Sequence, residues 1–221
     1  MTRTPTRRAR LVPATALALV LAGCGSDGPA DDAAAPGTSS APVAAPAPET
    51  APPAPTGVFG AGCAALPAEG PGSPTALAAA PVATAMSTVP GLTTTMGTVH
   101  AAALAASLDA TQDLTVLAPV NEAFAAVPAA TLDPLLADTP WLTALVTHHV
   151  IAGRLAPAEL AGTHTTLDGG QVTVDRTGEV FTLSADQTLL GVADATVICG
   201  NLPTLNATVY VVDQVLTPAD V

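Results

Sequence analysis

Basic side chains are scarce in this 221-residue chain: it has no lysine and only six arginines, against 18 acidic residues. Four of the arginines, Arg3, Arg7, Arg8 and Arg10, stand in the first ten positions, so the remainder carries only Arg154 and Arg176. Two arginines against 18 acids leave a formal charge of −16 beyond residue 23. Such a chain releases no counterions from a polyanion, which excludes nucleic acid as a partner. Aromatic residues are equally sparse at 2%, with one tryptophan and one tyrosine, too few to line a sugar-stacking groove. No G-x-S-x-G elbow, no nucleotide-binding βαβ alternation and no internal repeat is present. With no paired nucleophile and base in sight, an enzyme is not expected, and neither is a cofactor or a bound metal.

What is present begins at the N-terminus. The four arginines precede a short apolar run from Leu11 to Val20, and Leu21-Ala22-Gly23-Cys24 follows. About ten apolar residues are too short to cross a ~30 Å hydrocarbon core as a helix. The pattern resembles a bacterial lipoprotein signal, which implies cleavage of residues 1–23 and lipid on Cys24. An ordinary signal peptide with an incidental cysteine is the alternative. Anionic lipid would be repelled by the acidic remainder, so lipid on Cys24 is the only expected membrane contact.

Lipidation of Cys24 leaves Cys63 and Cys199, an even pair in an exported chain, where disulfides persist. Neither has a second thiol or a histidine at ligand spacing, which argues against a metal site. Residues 24–58 contain APVAAPAPETAPPAPTG and eight prolines, with no leucine, isoleucine or aromatic residue before Val58. They cannot bury enough apolar surface to offset ordering entropy. An extended tether is expected there, reaching on the order of 100 Å at ~3.1 Å per residue.

Residues 59–221 then read as one domain. Leu92, Met96, Val99, Ala103 and Ala106 recur at helical spacing and predict one helix over 90–108. Leu114 to Pro119 predicts a buried strand ended by its proline. Asn121 suits a helix cap, with Phe124 turned inward. Thr139-Pro140 predicts a second helix start, and Leu142, Leu145, Val146, His149 and Val150 share one stripe. His149 is expected to be a buried, hydrogen-bonded core residue, with His148 on the flank and open to solvent. After Gly153 the period becomes two, with turns at Gly169-Gly170 and at Arg176-Thr177-Gly178. In the last strand, Val209, Val211 and Val215 face one way and Tyr210, Val212 and Leu216 the other, which predicts a central strand covered on both sides. Asp213 reads as a strand-end hydrogen-bond acceptor. Asn206-Ala207-Thr208 is formally a glycosylation sequon at a strand start and is discounted. Helices followed by hairpins make an α+β pattern.

TVLAPVNEAFAAVP at 115–128, LVTHHVIAGRL at 145–155 and ATVYVVDQVLTP at 207–218 together resemble the blocks of fasciclin domains, in the same order. FGAGCAALPAEGPGS and VICGN extend the likeness to mycobacterial secreted and lipid-anchored fasciclin antigens. The resemblance implies a single domain, a twisted two-sheet β-wedge with a cluster of N-terminal α-helices, and a disulfide between Cys63 and Cys199. It also implies family-motif positions at Asn121, Phe124, His149 and Asp213, all structural. Its implied function is adhesion or envelope and matrix protein contact at the extracellular side of the membrane, by a monomeric domain, with a released form conceivable. The family often has tyrosine before the histidine of its middle block; His148 stands there instead. A small-ligand or glycan-binding envelope lipoprotein is the alternative reading.

Overall fold

The computed structural model describes residues 54–218; the signal region, Cys24 and most of the proline-rich stretch lie outside the described residues. Two short helices come first, α1 (Pro74–Ala78) and α2 (Val82–Met86), followed by α3 (Thr93–Ala101) and α4 (Ala105–Ala110). Strand β1 (Leu114–Pro119) leads into α5 (Asn121–Ala125), α6 (Ala129–Ala137) and α7 (Thr139–His148). Six strands complete the chain: β2 (Val150–Ala152), β3 (Gly162–Thr165), β4 (Gln171–Thr177), β5 (Val180–Leu183), β6 (Ala195–Pro203) and β7 (Ala207–Val212). The α+β arrangement expected from the residue pattern is present, with helices concentrated ahead of the hairpins.

The strands lie in the order β2-β1-β7-β6-β5-β4-β3. All neighbours are antiparallel except β1 and β7, which run parallel from Leu114 opposite Ala207 to Pro119 opposite Val212. A bridge between Ile151 and Thr166 joins the two ends of the series. The two sheets of the expected wedge are thus halves of one hydrogen-bonded run that nearly closes on itself.

Strand β7 is central and buried along its whole length, and its alternation, continued by Val215 and Leu216 just beyond its end, divides the core in two. Val209, Val211 and Val215 join a cluster shared with α1–α5 and α7, whereas Tyr210, Val212 and Leu216 join one built from strand and loop residues such as Leu117, Phe181 and Leu183. Helices therefore cover one face of the sheet, and the sheet itself wraps the other cluster. Each fully buried valine or leucine contributes roughly 1.5–3 kcal/mol relative to exposure. That gain holds only if buried polar groups are served. The Tyr210 hydroxyl donates to the Leu155 carbonyl at 2.9 Å. Burial, reinforced by the Glu159 charge, keeps this phenol protonated well above its ordinary range.

Element boundaries differ from the sequence pattern in several places. Helix α7 ends at His148, so Val150 lies in β2 and not on the helix, and the last strand ends at Val212, ahead of Val215 and Leu216. The expected helix over 90–108 is broken, because Ala103 adopts φ 56° between α3 and α4. The Ala103 N–H still reaches the His100 carbonyl and the Leu104 N–H the Val99 carbonyl, so the reversal closes α3 with its own backbone hydrogen bonds. Helix α7 is capped by Asp138, whose Oδ1 accepts from the Trp141 N–H at 3.3 Å, one residue earlier than the expected Thr139.

The segment before α1 is fastened to β6. Phe59 exchanges backbone hydrogen bonds with Gly200, at 3.2 and 2.8 Å, and its ring packs near Phe181 and Tyr210. Glycine is required opposite it: a Cβ on Gly200 would stand 2.4 Å from the Phe59 ring and 2.9 Å from Tyr210. Gly200→Ala is expected to cost about 1–3 kcal/mol through overpacking. Thermal unfolding checks this; an unchanged midpoint would mean that Phe59 is not seated there.

Candidate functional site

The junction between α7 and β2 brings two adjacent histidines, His148 and His149, into hydrogen bonds with different elements. The apolar stripe Leu142, Leu145 and Val146 buries α7 against the core, so the helix delivers His148 and His149 inward at its end. His149 is 5% exposed and both ring nitrogens are used. Its Nδ1 donates to the Leu145 carbonyl at 2.8 Å, and its Nε2 accepts from the Leu216 N–H at 3.0 Å. The ring is held as one neutral tautomer by these two partners. Burial, and secondarily the nearby His148 charge, lower its pKa to about 4 against the opposing pull of the Leu145 carbonyl and Asp168.

His148 is not open to solvent as its place on the helix flank suggested; it is 2% exposed. The β3–β4 turn folds over it. Its Nδ1 donates to Asp168 Oδ2 at 2.9 Å, while the Leu167 N–H reaches the Thr147 and Val150 carbonyls. Gly170 permits the approach, since a Cβ there would lie 3.1 Å from the imidazole. Burial pushes the Asp168 carboxyl up, but hydrogen bonds from Thr166 and Gly170, with His148 beside them, outweigh it and hold the group below its ordinary value. This pair was invisible to sequence reasoning: twenty positions separate its members, and only the turn at Gly169-Gly170 hinted that the hairpin would double back.

The other motif residues serve packing. Asn121 does not cap its own helix; Val120 holds that position. Its Oδ1 accepts from the Thr94 N–H at 2.9 Å and the Thr93 hydroxyl at 3.2 Å, and its Nδ2 donates to the Pro90 carbonyl. It thereby caps α3, whose own preceding residue, Leu92, has no side chain to do so. Phe124 is buried in the helix-facing core. Asp213 Oδ1 accepts from the Thr196 N–H at 2.6 Å, tying β7 to the start of β6.

Cys63 and Cys199 form a disulfide, with Cα atoms 4.8 Å apart. A more extensive polar centre, at Asn206, lay behind the discounted sequon. Its Oδ1 accepts from the Val82 N–H at 2.8 Å, and its Nδ2 donates to the Leu108 and Thr111 carbonyls at 2.7 and 2.6 Å. Asp109 adds bonds from the Ala83 and Thr84 N–H groups, so the start of α2 and the end of α4 are fixed together on the sheet. Asn206 is 1% exposed and cannot accept a glycan in the folded chain.

An interior cavity between α2–α5, α7 and β1 has about 20 Å³ and is bordered by His149. A surface groove of about 240 Å³ runs between α3, α6 and α7 beside Gly97, Ala101, Leu136 and Leu142. Among the described residues, no three histidine, cysteine or carboxylate side chains converge as metal ligands would. No helix among them is long and apolar enough to cross a membrane.

Three relatives are similar to about half of the chain. The immunogenic protein MPB70 of Mycobacterium bovis is 44% identical over 104 residues, 47% of this chain and 49% of that protein. The cell surface glycolipoprotein MPB83 of Mycobacterium bovis is 43% identical over 106 residues, 48% of this chain and 44% of that one. Protein sll1483 of Synechocystis is 33% identical over 114 residues, 51% of this chain and 59% of that one. The chain thus spans about half the length of the curated mycobacterial relatives it matches. Among solved structures, a domain pair from the insect cell adhesion molecule Fasciclin I covers 58% of this chain and 45% of its own, with TM-score 0.45 and 22% identity. The Fasciclin domain family model matches residues 90–218, from the turn before α3 to the segment that His149 holds, and the chain belongs to the fasciclin domain family.

Proposed function

We propose that this protein is displayed outside the cell, anchored by lipid on Cys24, and that its fasciclin domain makes adhesive or envelope protein contacts without catalysis. Family membership carries the reading, supported by relatives described as an immunogenic protein and a cell surface glycolipoprotein. The lipobox-like Leu21-Ala22-Gly23-Cys24 supplies the anchor and residues 24–58 the reach. Holding the domain near a surface raises its effective concentration toward partners there. A small-ligand role is less well supported: pockets for such ligands enclose roughly 300–1,000 Å³ with a few converging polar groups, whereas the interior cavity has about 20 Å³ and the groove of about 240 Å³ is lined by apolar residues, glycine and two threonines.

The anchoring is tested by expressing the full chain and Cys24→Ala in a bacterial host fed a clickable fatty acid. Label on the membrane fraction of the first and none on the second is expected. An unlabelled chain, or one retaining residues 1–23, would refute the anchor. Crosslinking on intact cells then tests contact: reproducible protein adducts are expected, and their absence would count against the adhesive role.

A further inference from the structure

We infer that His149 is an acid-released latch on the C-terminal segment 213–218, while the adjacent His148 keeps the β3–β4 turn attached. The two histidines sit at one helix end but hold different elements through opposite chemistry. Nε2 of His149 is an acceptor, and the Leu216 N–H depends on it at 3.0 Å. A protonated imidazole has two donors and no acceptor. Protonation would therefore set two N–H groups against each other, because Nδ1 is already committed to the Leu145 carbonyl. His148 is placed in the reverse sense: its Nδ1 donates to Asp168, so its hold on the turn does not rest on an acceptor nitrogen.

The site offers no easy accommodation of the charged form. The cavity bordering His149 has room for about one water, and its other walls are apolar apart from Thr95 and Thr98. The Thr98 hydroxyl donates to the Thr95 carbonyl, and the Thr95 hydroxyl to the Pro119 carbonyl. The titratable neighbours are His148 on the same helix and Asp168 on the β3–β4 turn. Only Asp168 favours the imidazolium, and it is engaged with His148, Thr166 and Gly170.

Besides His149, the segment is held from the sheet side: at its start Asp213 exchanges two hydrogen bonds with Thr196, through its N–H and its Oδ1. The Leu189 N–H reaches the Val215 carbonyl, the Thr217 N–H reaches the Gln187 carbonyl, and Leu216 bridges Thr188. On the helical side the segment is held by the packing of Val215 and by the hydrogen bond from the Leu216 N–H to His149. Opening uncovers Val215 and Leu216, which are 2% and 0% exposed in the closed form.

The direction of the pH effect follows from linkage. His149 titrates near 4 when closed and near its ordinary 6.5 when released, so protons bind preferentially to the open form. Opening increases as pH falls through 6.5 and levels off below about 4. Between pH 7 and pH 5 the opening equilibrium should rise about 20-fold.

Hydrogen exchange of the full chain, followed by NMR and expressed as protection relative to intrinsic rates, tests this. At pH 5 the Leu216 amide is expected to lose about 20-fold in protection relative to pH 7, with Leu167 and Gly170 changing less than about threefold. His149→Gln, which offers a carbonyl acceptor that does not titrate here, should flatten the Leu216 response. The carbon-bound ring protons of wild-type His149 provide a readout that needs no variant. Leu216 protection that is equal at both pH values, or that falls in step with Leu167, would overturn the latch. So would a His149 ring titrating near 6.5.

Discussion

Replacing Cys63 and Cys199 together by alanine is expected to destabilise the fold by about 2–5 kcal/mol and to lower its thermal midpoint by roughly 10 °C. The pair is separated by 136 positions. On the chain-entropy account, closing so long a loop restricts the unfolded chain by about 5 kcal/mol, an upper figure because measured effects depend only weakly on loop length. The folded state adds a second contribution. The bond fixes the short helical turn Ala61–Ala65 to β6, immediately beside the point where Phe59 crosses Gly200. Without it, the stretch before α1 is held to β6 mainly by the Phe59 bridge and by the Asn201 amide on the Gly57 carbonyl at 3.2 Å. Local release of residues 54–66 should therefore precede global unfolding in the variant. Denaturant titration gives the free energy, and limited proteolysis near residue 60 reports the release. A double variant within about 0.5 kcal/mol of wild type would show that the unfolded chain gains no freedom when the link is removed.

What the sequence conveyed well were features written in local periodicity. The alternation of Val209, Val211 and Val215 against Tyr210, Val212 and Leu216 anticipated both clusters of the core, because a central strand has no polar face to confuse the pattern. Phe124 and His149 were legible for the same reason: apolar surroundings at helical spacing predict burial, and a buried imidazole must be hydrogen-bonded. Features that depend on the chain returning upon itself were not legible. The reversal at Ala103 has no glycine or asparagine to announce it. Asn121 has the side chain of a cap and acts as one, but for α3, twenty-seven positions before it. His148 looks solvent-facing on a helical projection, and only the β3–β4 turn folding over α7 buries it.

Asn206 is the furthest from local pattern, and Asn206→Ala is expected to cost about 3–5 kcal/mol, comparable to losing the disulfide. The loss would not be that of four ordinary hydrogen bonds, each worth only about 1 kcal/mol net. It would come from stranding the Val82 N–H and the Leu108 carbonyl, which this one amide serves in the interior, and the Thr111 carbonyl, which it serves at the edge. Unsatisfied groups of that kind cost about 1–3 kcal/mol each, reduced where water can enter. Asn206→Asp separates this explanation from simple loss of packing, since its size is nearly unchanged. One carboxylate oxygen can still accept from Val82, but the other would replace an amide that now faces three carbonyl oxygens, the third being that of Asp109 at 3.4 Å. At pH 7 the aspartate variant should be at least as unstable as the alanine one. Protonation restores a single donor, so burial beside those carbonyls would raise its pKa above the ordinary 3.9. With the folded-state pKa above the unfolded one, its deficit relative to wild type should shrink as pH falls through that window and persist above it. Chemical denaturation of the two variants across pH 4 to 8, each referenced to wild type, provides the measurement. An aspartate variant as stable as wild type at neutral pH would show that the amide donors are not what holds α2 and α4 to the sheet.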